Sequence, residues 1–246
     1  SSGESDEEKQ PDSASVPTLQ KLESTLDPEL SAERAAYLQD LLCGLVQVML
    51  VKIGYKATKP LVTNIVMVVI RLFKQAEKVT ENGLIALQGA VVGCGQHIDI
   101  PEVGQYIKHA LESKEKDSTK LACGIISDLS GIHQEKMSEF LDDFVPCLLD
   151  ILRDQAVAKE MKIPALHAMG DLAVYCGTHF CQNYLQWTMQ ILDAASRLAT
   201  SVEEHQADQE LLNFLDELRE EVIEVYITVL LAAADAQCLP LYGQHI

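Results

Sequence analysis

The feature that most constrains this chain is a recurrence of small-residue helical segments at intervals of about 40 residues. Three such segments align around Gly89, Ser127 and Gly170, which are separated by 38 and 43 residues. Each contains several small residues (Gly, Ala or Ser), and each is followed by a glycine-marked turn and a more amphipathic second helix. A helix pair of this kind buries its apolar face only by stacking on its neighbours. The three aligned segments are Leu87–Gly93, Ile125–Gly131 and Ala168–Val174.

A period of about 40 residues with two helices per unit is typical of HEAT repeats. Apolar residues recur at helical spacing from residue 31 onward, and strand-like alternation is absent. We therefore predict an all-α fold, an α-solenoid of stacked antiparallel helix pairs, with a single closed bundle as the rival architecture. The predicted organisation is an acidic flexible segment at 1–30, about four and a half HEAT repeats at 31–236, and a tail at 237–246. The predicted helices are 32–53, 58–76, 80–95, 100–113, 117–132, 136–153, 157–176, 179–198 and 207–235.

The charge of the chain restricts its partners. Thirty-seven acidic residues against 19 basic residues give a formal net charge of −18. A surface of this charge repels phosphate groups, and the basic residues form no stripe, so we expect neither nucleic acid nor membrane as a partner. A basic peptide or protein fits better. Seven cysteines, mostly within apolar runs, indicate reduced buried thiols, and no apolar run reaches the roughly 20 residues of a membrane span.

Two predicted helices carry their acidic residues opposite an apolar stripe. Carboxylates three or four residues apart repel each other on a helix, and a basic partner relieves that repulsion. The alternative is an acidic face that is simply solvated. Because two such faces occur in one array, we predict a shared groove for a cationic ligand. Its residues are Glu139, Asp142, Asp143, Asp150 and Asp154 in the first helix, and Glu217, Glu220, Glu221 and Glu224 in the second.

No motif of catalysis or cofactor binding accompanies these helices. Cys176, His179 and Cys181 lack a fourth neighbour and a standard zinc-ligand spacing, which favours structural thiols. The glycines near Gly89 follow no strand and precede no Gly-Lys-Ser/Thr, so packing explains them better than phosphate binding. We expect no catalytic residue, no metal and no cofactor, and hence not an enzyme.

A resemblance to a known family rests on four stretches, at residues 40–43, 66–73, 164–174 and 212–226. Together they resemble the importin β family of nuclear import receptors. The similarity runs in register from about residue 32 to 236 and falls in the middle-to-late HEAT repeats of that family. Single motifs are weak, whereas their order and spacing together are fairly specific.

The resemblance implies a carrier without catalysis, expected as a monomer in cytoplasm and nucleus and at the nuclear pore. The second helices would hold the basic importin-β-binding segment of importin α, or basic cargo. The first helices would take Phe-Gly nucleoporins into clefts between repeats, with Ala90, Ile126 and Met169 lining them. Ran GTPase would bind through the full-length receptor. The alternative is a HEAT scaffold or regulatory subunit unrelated to nuclear transport.

Overall fold

The computed structural model of the chain describes residues 28–53, 57, 59–76, 79–201 and 209–238. The chain divides into two compact units, residues 1–41 and 42–246. The described part of the first unit, residues 28–41, is helical. The predicted flexible segment and tail lie mostly outside the described residues, but helix begins at Pro28, inside the segment predicted to be flexible.

The described residues form eight α-helices and contain no strand, as the all-α prediction requires. Short 3-10 turns occur at Lys59–Leu61, Gly95–His97, Gln134–Phe140 and Lys159–Met161. The helices are α1 (Pro28–Ile53), α2 (Val62–Ala76), α3 (Glu81–Cys94), α4 (Ile100–Ser113), α5 (Lys116–His133), α6 (Leu141–Arg153), α7 (Lys162–Ser201) and α8 (Gln209–Asp235).

The helix α7 consists of two helices that meet at Gly177. The backbone there has φ +46° and ψ −112°, outside the helical region, so residues 162–176 and 178–201 form the two arms of a hairpin. A φ in this range is readily adopted by glycine and strained for other residues. The sequence predicted a turn at this glycine, and the structure confirms it.

The helices of the second unit form two layers. The first layer contains residues 42–53 of α1, α3, α5, residues 162–176 of α7, and α8. The second layer contains α2, α4, α6 and residues 178–201 of α7. Within the second layer, the rings of Phe73 (α2) and Tyr106 (α4) have centroids 5.1 Å apart. Further along it, a Cβ at Gly104 (α4) would lie 3.7 Å from the Phe144 ring (α6).

Small residues set the spacing of the first layer. A Cβ at Gly89 (α3) would lie 2.6 Å from the Cα of Gln47 (α1), closer than two such carbon atoms can approach. A Cβ at Gly170 (α7) would lie 3.2 Å from Val225 (α8). Gly89 and Gly170, two of the three positions that revealed the repeat, are therefore points of close approach between neighbouring first-layer helices. The core lies between the two layers, where Phe144 and Phe180 are fully buried.

The last helix, α8, begins a new pair rather than completing one. Its residue Val225 packs against Gly170, and Glu221 accepts a hydrogen bond from the ring of His167, so α8 lies beside the first half of α7. The α7 hairpin has already supplied both helices of its own pair. The next helix along the chain consequently enters the first layer.

Candidate functional site

The acidic face of α6 lies in the second layer, and lysines from the preceding helix pair neutralise much of it. Lys108 Nζ lies 2.8 Å from Asp143 Oδ1. Lys114 Nζ lies 2.7 Å from carboxylate oxygens of both Asp150 and Asp154. Hydrogen bonding to Lys114 is the main cause that lowers the pKa of Asp154. These carboxylates are thus partly solvated ion pairs rather than isolated charges.

Sequence reasoning missed these lysines because it considered one helix at a time. The partners Lys108 and Asp143 are 35 residues apart, and Lys114 and Asp154 are 40 apart, close to the repeat period. Residues one period apart occupy equivalent positions on neighbouring helices of one layer. The repeat spacing was therefore the signal that could have found these pairs.

The remaining predicted residues of this face differ in environment. Asp142 is exposed and accepts a hydrogen bond from the hydroxyl of Tyr184, which lies in the second half of α7. Burial and this carboxylate raise the pKa of Tyr184 to about 12. Glu139 is exposed and lies in the 3-10 turn before α6, where it lines a shallow groove with Lys136 and Phe140.

The acidic residues of α8 lie in the other layer. Glu217, Glu220 and Glu224 are exposed. Glu221 is largely buried, and its Oε1 lies 3.0 Å from Nδ1 of His167, whose pKa is raised to about 9 chiefly by this hydrogen bond. At neutral pH Glu221 is therefore paired with an imidazolium ion.

The two acidic faces do not form the shared groove that the sequence predicted. The face of α6 belongs to the second layer, and α8 belongs to the first. Amphipathic patterning shows which side of a helix is apolar, but it does not show which layer the helix joins. Of the four predicted α8 carboxylates, Glu217 borders a first-layer groove of about 390 Å³. This groove is lined by Lys120, Lys159, Glu160, Ile163, Pro164, Glu210, Asn213, Phe214 and Glu217.

The three residues predicted to line nucleoporin clefts are all buried. Ala90 and Ile126 are 0% exposed and Met169 is 1% exposed, and all three belong to the hydrophobic core. A phenylalanine ring would reach them only if the neighbouring helices separated. Exposed aliphatic side chains on the same layer, Val92 of α3 and Val174 of α7, are accessible without such a change.

A cation–aromatic pair on the second layer was also missed. The side chain of Trp187, in the second half of α7, is 47% exposed. The guanidinium carbon of Arg153 lies 5.0 Å from the centre of its ring. The two residues come from neighbouring second-layer helices and mark a point on that surface with both a cation and a large aromatic ring.

The described residues provide no metal centre. No group of three or more His, Cys, Asp or Glu side chains converges among them in an arrangement suited to a metal ion. The seven cysteines are present as thiols, and burial raises the pKa of the Cys176 and Cys181 thiols to about 11. Among the described residues, no helix combines the length and hydropathy needed to cross a membrane.

Comparison with protein families shows to which family the chain belongs. The protein-family model described as "Importin subunit beta-1-like, TPR repeats" matches residues 6–246 of the chain. The chain belongs to the importin subunit beta-1-like family. Its helix-pair spacing of 38 and 43 residues is nearer to the HEAT period of about 40–47 than to the 34 residues of a TPR unit.

Curated members of the importin β family are similar at low identity. Importin subunit beta-1 of Arabidopsis thaliana is 24% identical over 243 residues, covering 93% of this chain and 28% of the relative. Importin subunit beta-1 of Schizosaccharomyces pombe is 21% identical over 214 residues, covering 85% of this chain and 24% of the relative. The chain thus spans about a quarter of the length of these importins.

Solved structures of importin β share the fold. A crystal structure of importin β from an ammonium sulfate condition superposes with a TM-score of 0.79 at 21% identity, over 90% of this chain and 26% of that one. A structure of Kap95p bound to RanGDP superposes with a TM-score of 0.75 at 20% identity, over 90% of this chain and 26% of that one. The predicted HEAT solenoid and the predicted family are both confirmed.

Proposed function

We propose that this chain is a segment of a nuclear transport receptor that binds basic polypeptide on its second layer. The observation that carries the proposal is the importin subunit beta-1-like match over residues 6–246. The role belongs to the whole receptor, of which the chain spans about a quarter by the length of its relatives. In that role the receptor carries importin α or basic cargo, moves between cytoplasm and nucleus through the nuclear pore, and does so without catalysis.

The second layer supplies carboxylates that a basic segment can use. Asp142, Asp143 and Asp150 are exposed, and two of them pair with lysines at the surface. An exposed ion pair contributes only about 0.2–1 kcal/mol, so a lysine or arginine of the partner can replace Lys108 or Lys114 at little net cost. Affinity then comes from several modest contacts, and it weakens as salt screens them.

The experiment is a titration of the chain with the basic importin-β-binding segment of importin α at low and high salt. We expect binding at low salt that the combined substitution Asp142→Asn, Asp143→Asn and Asp150→Asn weakens severalfold. The matched control is Glu217→Gln, Glu220→Gln and Glu224→Gln, which changes the net charge equally but on the first layer. Salt-independent binding, or equal loss in both variants, contradicts the proposed surface.

We also propose that the first layer binds Phe-Gly nucleoporins. Because Ala90, Ile126 and Met169 are buried, we assign the contact to exposed side chains of the same helices, Val92 and Val174. The three buried residues then act beneath this surface by fixing the spacing of the helices. Their part in nucleoporin binding stays a prediction.

A pull-down with a Phe-Gly repeat peptide tests this surface, with a Ser-Gly peptide as the ligand control. We expect Val174→Ser to reduce capture. The control Val68→Ser, at an exposed aliphatic residue of the second layer, should leave it unchanged. Equal capture of both peptides would instead favour a scaffold unrelated to transport. Ran binding is expected of the full-length receptor.

A further inference from the structure

The carboxyl end of α6 carries an excess of positive charge in an otherwise acidic protein. Three cations meet there: Arg153, Lys114, and Lys162, whose Nζ donates to the carbonyls of Ile151, Leu152 and Asp154 at 2.7–3.2 Å. Against them stand two carboxylates, Asp150 and Asp154, both within 2.7 Å of Lys114. The end of a helix also carries a partial negative charge, which stabilises cations at this position.

Among the residues that the structure describes, this arrangement leaves Arg153 without a carboxylate partner. The two acidic residues nearest to it in sequence bind Lys114 instead. Within the described residues, the Arg153 guanidinium forms no ion pair or hydrogen bond, and it lies over the ring of Trp187. A guanidinium held against an aromatic ring keeps its N–H groups in its own plane and available to a ligand.

The tryptophan provides an apolar surface beside these donors. Trp187 is the single tryptophan of the chain, and 47% of its surface is exposed. Its helix is anchored by the buried residues Leu185, Thr188 and Leu192 on the opposite side. Tryptophan and arginine are also the residues that most often dominate binding energy at protein interfaces.

We propose that Arg153 and Trp187 form a binding site for a peptide segment that carries an aspartate or glutamate next to a large apolar side chain. The carboxylate accepts two hydrogen bonds from the guanidinium, a geometry that a planar arginine favours. The apolar side chain packs on the exposed part of the indole. The local excess of positive charge selects an acidic residue at this point, and the site stands independently of the basic-segment proposal.

The test uses the fluorescence of Trp187, which reports on this site alone because the chain has one tryptophan. The probes are the blocked peptides Gly-Leu-Glu-Phe-Gly, Gly-Leu-Gln-Phe-Gly and Gly-Leu-Lys-Phe-Gly. We expect the glutamate peptide to change the emission and to bind up to about fivefold tighter than the glutamine peptide, as for an exposed ion pair. The lysine peptide should bind most weakly.

Two variants test whether Arg153 is responsible for the preference for the glutamate peptide. Arg153→Gln should abolish the preference for the glutamate peptide. The control is Arg197→Gln, which should retain the preference. Arg197 lies in the same half of α7 as Trp187, and it pairs with Asp193. Circular dichroism confirms that both variants keep their helicity. The proposal is overturned if no peptide changes the emission, if the glutamate and glutamine peptides bind equally, or if the preference survives in Arg153→Gln.

Discussion

At the scale of single residues, backbone geometry and hydrogen bonds at helix ends decide where the chain turns. Gly177 separates the two arms of α7, and Lys162 stabilises the end of α6 by donating to three carbonyls. The turn at Gly177 could be predicted, since glycine is the residue that best tolerates positive φ. The role of Lys162 could not, because its acceptors are backbone atoms 8 to 11 residues earlier in the chain.

Replacing Gly177 by alanine should destabilise the protein by about 1–2 kcal/mol. No atom lies within 4 Å of the position of a Cβ, so the cost is the positive φ itself. The control is Gly44→Ala in α1, where space is also available and φ is not positive. Alanine there should stabilise the helix by about 0.5–1 kcal/mol. Denaturant unfolding of both variants provides the measurement, and a neutral or stabilising Gly177→Ala would contradict the strained turn.

The pairing of His167 with Glu221 predicts a dependence of stability on pH. The pKa of His167 is raised from 6.5 to about 9, chiefly by its hydrogen bond to Glu221. The stabilisation is therefore complete below pH 6.5 and is lost as the pH rises through about 9. Because the imidazole is half exposed, we expect no more than about 1 kcal/mol.

The measurement compares the free energy of unfolding of the wild type with that of His167→Gln, below pH 6.5 and above about pH 9. The wild type should be more stable than the variant at the acidic end, and the difference should disappear at the alkaline end. A constant difference, or one that grows with pH, would show that the ion pair does not stabilise the fold.

At the scale of helices, the repeat fixes which residues become neighbours. Small residues about 40 positions apart predicted the helix pairs and their order, and these predictions hold. The layer of α8 and the neutralising lysines depend on contacts between pairs, which the pattern of one helix does not contain. Most of the acidic residues are exposed, as the pattern of each helix indicates. Their division between two layers and their lysine partners were not predicted.

Close packing between first-layer helices predicts that Gly89→Ala destabilises the protein by about 1–3 kcal/mol. The new Cβ would lie 2.6 Å from a backbone atom of Gln47, so α1 and α3 would have to separate. Gly124→Ala is the control, since its nearest neighbour is the end of the Gln88 side chain at 3.1 Å, which can move. Thermal unfolding should show a lower midpoint for the first variant only; equal midpoints would contradict this packing.

At the scale of the whole molecule, the charged side chains of the described helices lie on two surfaces of different character. The second layer combines carboxylates with lysines one repeat away and with the Arg153–Trp187 pair. The first layer combines the acidic residues of α8 with exposed aliphatic side chains such as Val174. Membership of the importin subunit beta-1-like family could be inferred from the order of short motifs, whereas this division required the positions of the helices.

The most direct test of this account is to locate a bound basic peptide on the protein. A nitroxide-labelled importin-β-binding segment broadens the NMR signals of nearby amides, which identifies the helices it contacts. We predict broadening along α6 and the second half of α7, around Asp142 and Asp150, with the signals of α8 unaffected. Broadening centred on Glu217, Glu220 and Glu224 of α8, or spread equally over both layers, would contradict the claim that the second layer holds the basic partner.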